Sequence, residues 1–201
     1  MPKIVYSYDK PVIYFYPEKE TKITAKLDFN GEINFTYPKS INNNWEFIAN
    51  KEGQISIINK KYRYIFWEGS NNIPFNEITN LEEGFIVSSD TIVQFIEKCL
   101  TKFAFNDQEI QDFITYWVPE IKKNKLNFIK FLEEEEYNDI AKLTIHPKPT
   151  SLIRVFMIWG KTDYKQNIKT QVLPTKFRNG FTVVEWGGSN ISSELNVNNI
   201  N

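Results

Sequence analysis

The sequence is poor in the residues that most enzyme chemistry depends on: it holds one cysteine and one histidine in 201 residues. A single cysteine, Cys99, excludes an intramolecular disulfide and a thiolate zinc cluster, so nothing in the sequence demands an oxidising compartment. A single histidine, His146, excludes a multi-histidine metal centre. No charge of one sign prevails, since 24 basic residues stand against 25 acidic ones for a net charge of −1. That balance lacks the basic footprint of a nucleic-acid binder and the polybasic patch of a membrane-surface protein. No apolar run reaches membrane-spanning length, so no membrane insertion is expected. The opening MPKIVYSYDK carries no apolar segment of signal-peptide length, and the expected location is the cytoplasm or a larger assembly. GxGxxG, the P-loop, HExxH and GxSxG are all missing, which removes the common signatures of nucleotide, zinc-protease and serine-hydrolase chemistry. No cofactor and no metal site are implied.

Aromatic residues are what the chain has in plenty. It contains 16 Phe, 10 Tyr and 5 Trp, 15% of all residues. Aromatics favour pleated strands and bury large areas, so the expectation is a sheet-rich core or an aromatic-lined surface. A chain of this length buries on the order of 70% of its unfolded surface and needs no covalent staple.

The hydrophobic periods divide the chain in three. In the first third, Pro11–Pro17 is a short apolar run between prolines, which suits a strand near a sheet edge. Ile23, Ala25, Leu27 and Phe29 alternate with polar residues, Asn30-Gly31 signals a hairpin, and Ile33, Phe35 and Tyr37 continue on the return strand. Trp45–Ile48, Gln54–Ile58 and Tyr62–Trp67 complete an expected antiparallel meander. In the middle third, apolar residues from Asp90 to Phe103 fall on one helical face, with cap candidates at Ser88–Asp90. Asn106, with Glu109 three residues on, reads as the capping box of a second helix, which Pro119 should end near residues 116–118. The last third returns to strands at Leu126–Leu132, Ile140–Ile145, Leu152–Trp159 and Gly180–Trp186. Glu133–Glu136 reads as a solvated loop and residues 189–201 as a flexible polar tail. The fold expected is α+β, one domain over residues 1–188: an antiparallel β-rich N-terminal unit, a central helical hairpin, and further strands completing one core.

Five blocks, DKPVIYFYPEKETKITAKLDFNGE, YIFWEG, DFITYWVPEIKKNKLNFIKF, LIRVFMIW and GFTVVEWGG, together resemble a family of uncharacterised bacterial proteins with a DKPVIYLYP-like opening and a GFTVVEWGG-like ending. The likeness runs in order from Asp9 to Gly188. It implies one conserved domain unit and carries no activity or catalytic residues with it. Many members are exported lipoproteins with a lipid-anchor cysteine just before the first block. Here Ser7-Tyr8 precede Asp9 and that cysteine is absent, which departs from the family's envelope location.

Two strands end on Trp and Glu beside Gly: Trp67-Glu68-Gly69 and Glu185-Trp186-Gly187. As an enzyme, Glu68 and Glu185 are the candidate catalytic carboxylates, an acid and base or nucleophile on a glycosidic bond with Trp67 and Trp186 as the sugar platform. Such a pair needs a separation of about 5–5.5 Å for retention or about 6.5–9.5 Å for inversion. Arg154 supplies the competing reading. It is the only charge in LIRVFMIW, and a buried guanidinium must find a carboxylate, for which Glu185 is the natural partner; a substrate-binding arginine is the alternative. Arg63 is a candidate for a similar pair. Cys99 with His146 is a conceivable nucleophile pair, although Cys99 lies on an apolar helix stripe where thiols are usually inert packing. Tyr116, Trp117 and Trp159 are candidates for a groove lining or for core. The leading reading is a non-catalytic binding or interaction domain presenting an aromatic surface between strand ends and helical hairpin to a protein or glycan. A carboxylate-based glycan hydrolase and a structural part of a larger particle are the alternatives, and the oligomeric state is left open.

Overall fold

The computed structural model describes residues 4–163 and 168–197. In chain order the elements are β1 (Tyr6–Tyr16), β2 (Thr21–Phe29), β3 (Glu32–Tyr37), β4 (Asn44–Ala49), β5 (Ile55–Ile57), β6 (Lys60–Tyr62), β7 (Ile65–Asn71) and β8 (Glu83–Ser88). The helical hairpin α1 (Ile92–Lys102) and α2 (Asp107–Ile121) follows, then β9 (Leu126–Leu132), α3 (Glu134–Asn138), β10 (Ala141–His146), β11 (Ser151–Lys161), β12 (Lys169–Thr170), β13 (Thr182–Asn190) and α4 (Ser192–Val197). The class is α+β and mostly β.

Two sheets and one helical layer result. The larger sheet has the order β12-β8-β9-β11-β13-β1-β7-β3, and the smaller one β10-β2-β4-β5-β6. The smaller sheet packs on one face of the larger. Between them lies an aromatic core that includes Tyr8, Phe15, Phe47, Trp67, Phe75, Tyr137 and Phe156. The helical hairpin covers part of the other face, over Tyr14, Phe103, Phe113, Trp117, Phe131, Trp159 and Trp186. Each central strand therefore has two apolar faces, which explains the unbroken hydrophobic runs in VIYFY and IRVFMIW. The sheet is mixed, because β11 and β13 run parallel from Ser151↔Thr182 to Trp159↔Asn190.

The helix signals are partly realised. Asn106 and Glu109 form the reciprocal capping box, each bonding the other's backbone N–H. The Ser88–Asp90 caps are not used, since Thr91 precedes α1 without a side-chain cap bond. Pro119 does not stop α2, which continues to Ile121; a proline this close to the C-terminus costs little of the remaining helix. The acidic run is not wholly loop: Glu134–Asn138 is the short helix α3, and Tyr137 within it is buried. Nor is the tail loose from residue 189. Ile191, Glu194 and Leu195 are buried, and Glu194 accepts hydrogen bonds from the Phe75 (3.0 Å) and Asn76 (2.7 Å) backbone amides.

Topology departs furthest from expectation at the hairpins. The run through Pro11 is no edge strand but the eleven-residue β1, paired with β13 on one side and β7 on the other. It tolerates Pro11 because the register shifts between Asp9 and Val12 against β13 and between Tyr8 and Val12 against β7, a bulge with Lys10 at φ 56°. Asn30-Gly31 turns the chain but makes no hairpin: β2 pairs with β4 and β10 in one sheet, β3 with β7 in the other. The N-terminal third is therefore split between two layers rather than a single meander.

Neither Trp/Glu strand ends at its glycines, since β7 runs to Asn71 and β13 to Asn190; within the strands these glycines make room. A Cβ on Gly69 would lie 2.6 Å from the Phe29 ring, and one on Gly188 would lie 2.6 Å from the Met157 carbonyl and 2.8 Å from the Trp117 indole. The second approach is what seats α2 against the sheet. Gly188→Ala is accordingly expected to lose about 1–3 kcal/mol of stability by overpacking, read as a lower urea midpoint.

Candidate functional site

Alternation along the strands sorts the two Trp/Glu pairs. On β7, Ile65, Trp67 and Asn71 point into the sandwich, so Phe66, Glu68 and Ser70 point to the helix-bearing face. On β13, Val183 and Glu185 point into the sandwich, so Val184 and Trp186 point under the helices. Glu68 and Glu185 thus lie on opposite faces of one sheet and cannot address one glycosidic bond. The pairing expected for a hydrolase is corrected on this ground. The residues that do share a face are Trp67 with Glu185.

Glu185 is the centre of a closed polar cluster. Its Oε2 accepts from Arg154 Nε at 2.5 Å, and neither side chain has any exposure. Its Oε1 accepts from Trp67 Nε1 at 3.0 Å and from the Tyr137 hydroxyl at 3.4 Å. Arg154 Nη1 donates to Asn138 Oδ1 at 2.5 Å, and the guanidinium stacks 4.4 Å above the Tyr137 ring. Arg154 and Glu185 are directly opposite on the parallel strands β11 and β13. Burial drives the Tyr137 hydroxyl well above its ordinary pKa, and the Glu185 charge pushes it further the same way. Four elements, β7, α3, β11 and β13, therefore meet on one ion pair that has no path to solvent. Arg154 Nη2 is buried without a protein partner among the described residues, the one donor the cluster leaves open.

The other candidates divide between core and surface. Trp117, Trp159 and Trp186 are buried under the hairpin, and of the five residues proposed for binding only Tyr116 reaches solvent, at 39%. Trp67 and Arg154 belong to the clasp. Arg63 pairs with Asp112 at 2.7 Å at the surface, not in the core. Cys99 lies on the helix side of the large sheet while His146 ends β10 in the sheet on the opposite side, so the two form no nucleophile pair. Burial pushes the Cys99 thiol up to about 11. Among the described residues no group of three or more His, Cys, Asp and Glu is placed to hold a metal, and no helix is long and apolar enough to cross a membrane.

What the sequence reading missed is a ledge. The hairpin covers the large sheet only as far as β1, leaving the helix-side face of β7 and β3 open. Phe35 and Tyr37 on β3 are 53% and 54% exposed. Tyr37 pairs with Phe66 across the strands, and the Phe35 ring meets Phe66 edge-on at 5.9 Å. At the wall of the ledge the bulge aims Lys10 into a box of three rings, its ammonium 5.1 Å from Phe66, 5.4 Å from Tyr116 and 5.7 Å from Tyr64. Beside it is a cleft of about 200 Å³, bounded by Lys10, Tyr64, Asp112 and Tyr116. Two carboxylates border the box. Burial raises the Glu68 pKa and the Asp9 charge adds to it, while the Lys10 backbone amide and ammonium act in the opposite direction. Burial also raises Asp9, against a hydrogen bond from the Ser7 hydroxyl at 3.0 Å. The signal in the sequence was the Asp9-Lys10-Pro11 triplet, an unlikely strand interior unless bulged.

Glu185→Gln removes the charge while keeping the shape and leaves Arg154 uncompensated, so it is expected to cost about 3–5 kcal/mol in urea denaturation. Glu68→Gln on the open face should stay within about 0.5 kcal/mol of the parent. Cys99 should resist an aromatic disulfide reagent in the native state at pH 8 and react fully once unfolded.

Comparison with known proteins adds one relative. No family model matches the sequence, and no solved structure matches it. Over 62 residues the chain is 42% identical to an "Uncharacterized protein in bglA 3'region" of Butyrivibrio fibrisolvens, a stretch that is 30% of this chain and 65% of that protein. The chain is similar, then, to an uncharacterised bacterial protein over that stretch.

Proposed function

We propose that this protein is a non-catalytic binding domain and that its contact surface is the aromatic ledge formed by β3, β7 and the Lys10 box. One observation carries the reading: Phe66, Tyr116 and Tyr64 surround the Lys10 ammonium, and the exposed rings of Phe35 and Tyr37 extend the row from Phe66 along β3. Scattered exposed aromatics need no explanation, but a contiguous row on a rigid sheet marks a contact site. The ledge mixes ring faces with hydrogen-bonding groups, namely Glu68, Asp9, Lys10 and the Asn34–Ser70 pair at 3.2 Å. That mixture suits a glycan, whose apolar C–H faces stack on rings while its hydroxyls meet carboxylates and amides.

A second reading has its own observation. β3 is an edge strand of the large sheet and carries the exposed rings, so the same surface suits a contact in a larger particle.

Calorimetric titration with cello-, xylo- and chito-hexaose checks the first reading. At least one is expected to bind, and Tyr116→Ala or Phe66→Ala should weaken it about tenfold, equivalent to about 1.4 kcal/mol. No heat from any of the three, with concentration-dependent sedimentation abolished by Phe35→Lys, would give the surface to self-assembly instead.

A further inference from the structure

β10 and β11 are joined like a hairpin and do not pair. β10 ends at His146 and β11 begins at Ser151, a link short enough to bring antiparallel strands together. Instead β10 pairs with β2 as the outermost strand of the small sheet, and β11 pairs with β13 in the large one. On its other side β11 meets β9 only from Phe156 onward, so Ser151–Val155 has no strand neighbour there. Half of a strand's backbone N–H and C=O groups point to each side, so two rows of such groups border the gap with no ladder partner. The gap is a groove of about 770 Å³, lined from both strands by Leu143, Ile145, Leu152 and Ile153.

Its third wall is pinned in place. The segment 175–179 is tied to β11 through Ser151 Oγ, which donates to the Asn179 carbonyl at 3.0 Å and accepts from the Asn179 amide at 2.8 Å. Arg178 reaches the buried Glu109 at 2.8 Å and Lys176 reaches Glu133 at 3.3 Å. Phe177, between these anchors, is nevertheless 71% exposed at the groove mouth. A rigid wall that holds a phenyl ring out into water is an unspent apolar contact.

We propose that this groove takes an extended segment of another polypeptide as an added strand, about four residues of it within the groove, apolar at alternate positions and acidic at the end that meets Lys148. The length follows from the strand stretches that line the groove, Leu143–His146 and Ser151–Ile153; Arg154 and Val155 beyond them are buried, and Asn138 of α3 bonds Arg154. The alternation follows from strand geometry: one set of side chains enters the apolar floor and Phe177, the other faces solvent. The acidic end follows from Lys148 alone, which has no ion-pair partner among the described residues, whereas Lys176 is already held by Glu133. Main-chain recognition of this kind needs amides repeating at strand spacing, which selects a polypeptide over a glycan. The groove shares no lining residue with the aromatic ledge, so it stands or falls independently of that reading.

The test is selection of a random twelve-residue peptide library on phage against the full chain, followed by hydrogen exchange with the synthesised winners. The expected winners alternate apolar residues, carry Asp or Glu at one flank, and slow exchange at Leu143–His146 and Ser151–Ile153. Lys148→Glu and Phe177→Ala, both surface changes that leave the melting temperature unchanged, should each weaken binding tenfold or more. The proposal is overturned if no sequence is enriched, if the winners leave those amides unprotected, or if binding ignores both substitutions. A concentration-dependent dimer that protects the same amides without peptide would assign the groove to a second copy and overturn it as well.

Discussion

Everything in the sandwich is arranged around one ion pair that never meets water. Arg154 and Glu185 sit opposite each other on adjacent parallel strands, with no exposure on either side chain. Taking two charges out of solvent costs several kcal/mol per ion, which their attraction repays only when geometry is good and the remaining polar atoms are satisfied. The neighbours do most of that. Trp67 occupies one carboxylate oxygen, Tyr137 donates to the same oxygen and stacks under the guanidinium, and Asn138 takes a further donor. A charge pair is no stronger than good apolar packing at such a site, but it is directional. A slip of β11 by one residue against β13 would turn Arg154 out of the cluster and strand Glu185, so the pair specifies a register that aliphatic side chains alone would leave looser. It also fixes α3, a five-residue helix too short to stand without tertiary contacts.

The surfaces available for function follow from a mismatch of layers. Eight strands in one sheet are covered by five on one face and by two helices on the other. The helices stop short of β7 and β3, which leaves an aromatic ledge. The small sheet ends at β10 before reaching the start of β11, which leaves a wedge between two strand edges. Each opening lies near a point where the chain crosses between layers: the turn at Asn30-Gly31 on one side, the link from His146 to Ser151 on the other. Both rest on rigid sheet, the setting in which binding groups are held without ordering cost.

Much of this architecture was legible from local pattern. Alternation in ITAKLDF, the capping box at Asn106 and the single charge in LIRVFMIW each correspond to a feature of the structure, because each is decided by neighbours close in sequence or by the cost of burying a charge. The pairing of Arg154 with Glu185 followed from that cost alone. The face on which Glu68 lies was within reach too, since alternation from Trp67 fixes it, but only once the sandwich face of β7 is known. The sheet assignments were beyond local pattern. Asn30-Gly31 sets a tight turn and says nothing of whether the flanking strands pair; here the apolar residues of β2 face the smaller sheet's core while β3 lies on the larger sheet's rim. The sequence of β8, Glu83–Ser88, is short and half-buried, so its alternation is too weak to stand out. The ordering of Ile191–Leu195 depends on Glu194 capping amides 119 and 118 residues away, and no local rule reports that.

A double-mutant cycle on Arg154 and Glu185 tests the central interaction most directly. Stabilities of the parent, Arg154→Met, Glu185→Leu and the combined variant, from urea denaturation, give the coupling between the two side chains. The account predicts that each single change is far more damaging than the pair, with a coupling of about 2–3 kcal/mol at the upper end of the range for contacting residues. Additive effects, with coupling below about 0.5 kcal/mol, would contradict it and return Glu185 to the list of residues in need of another purpose.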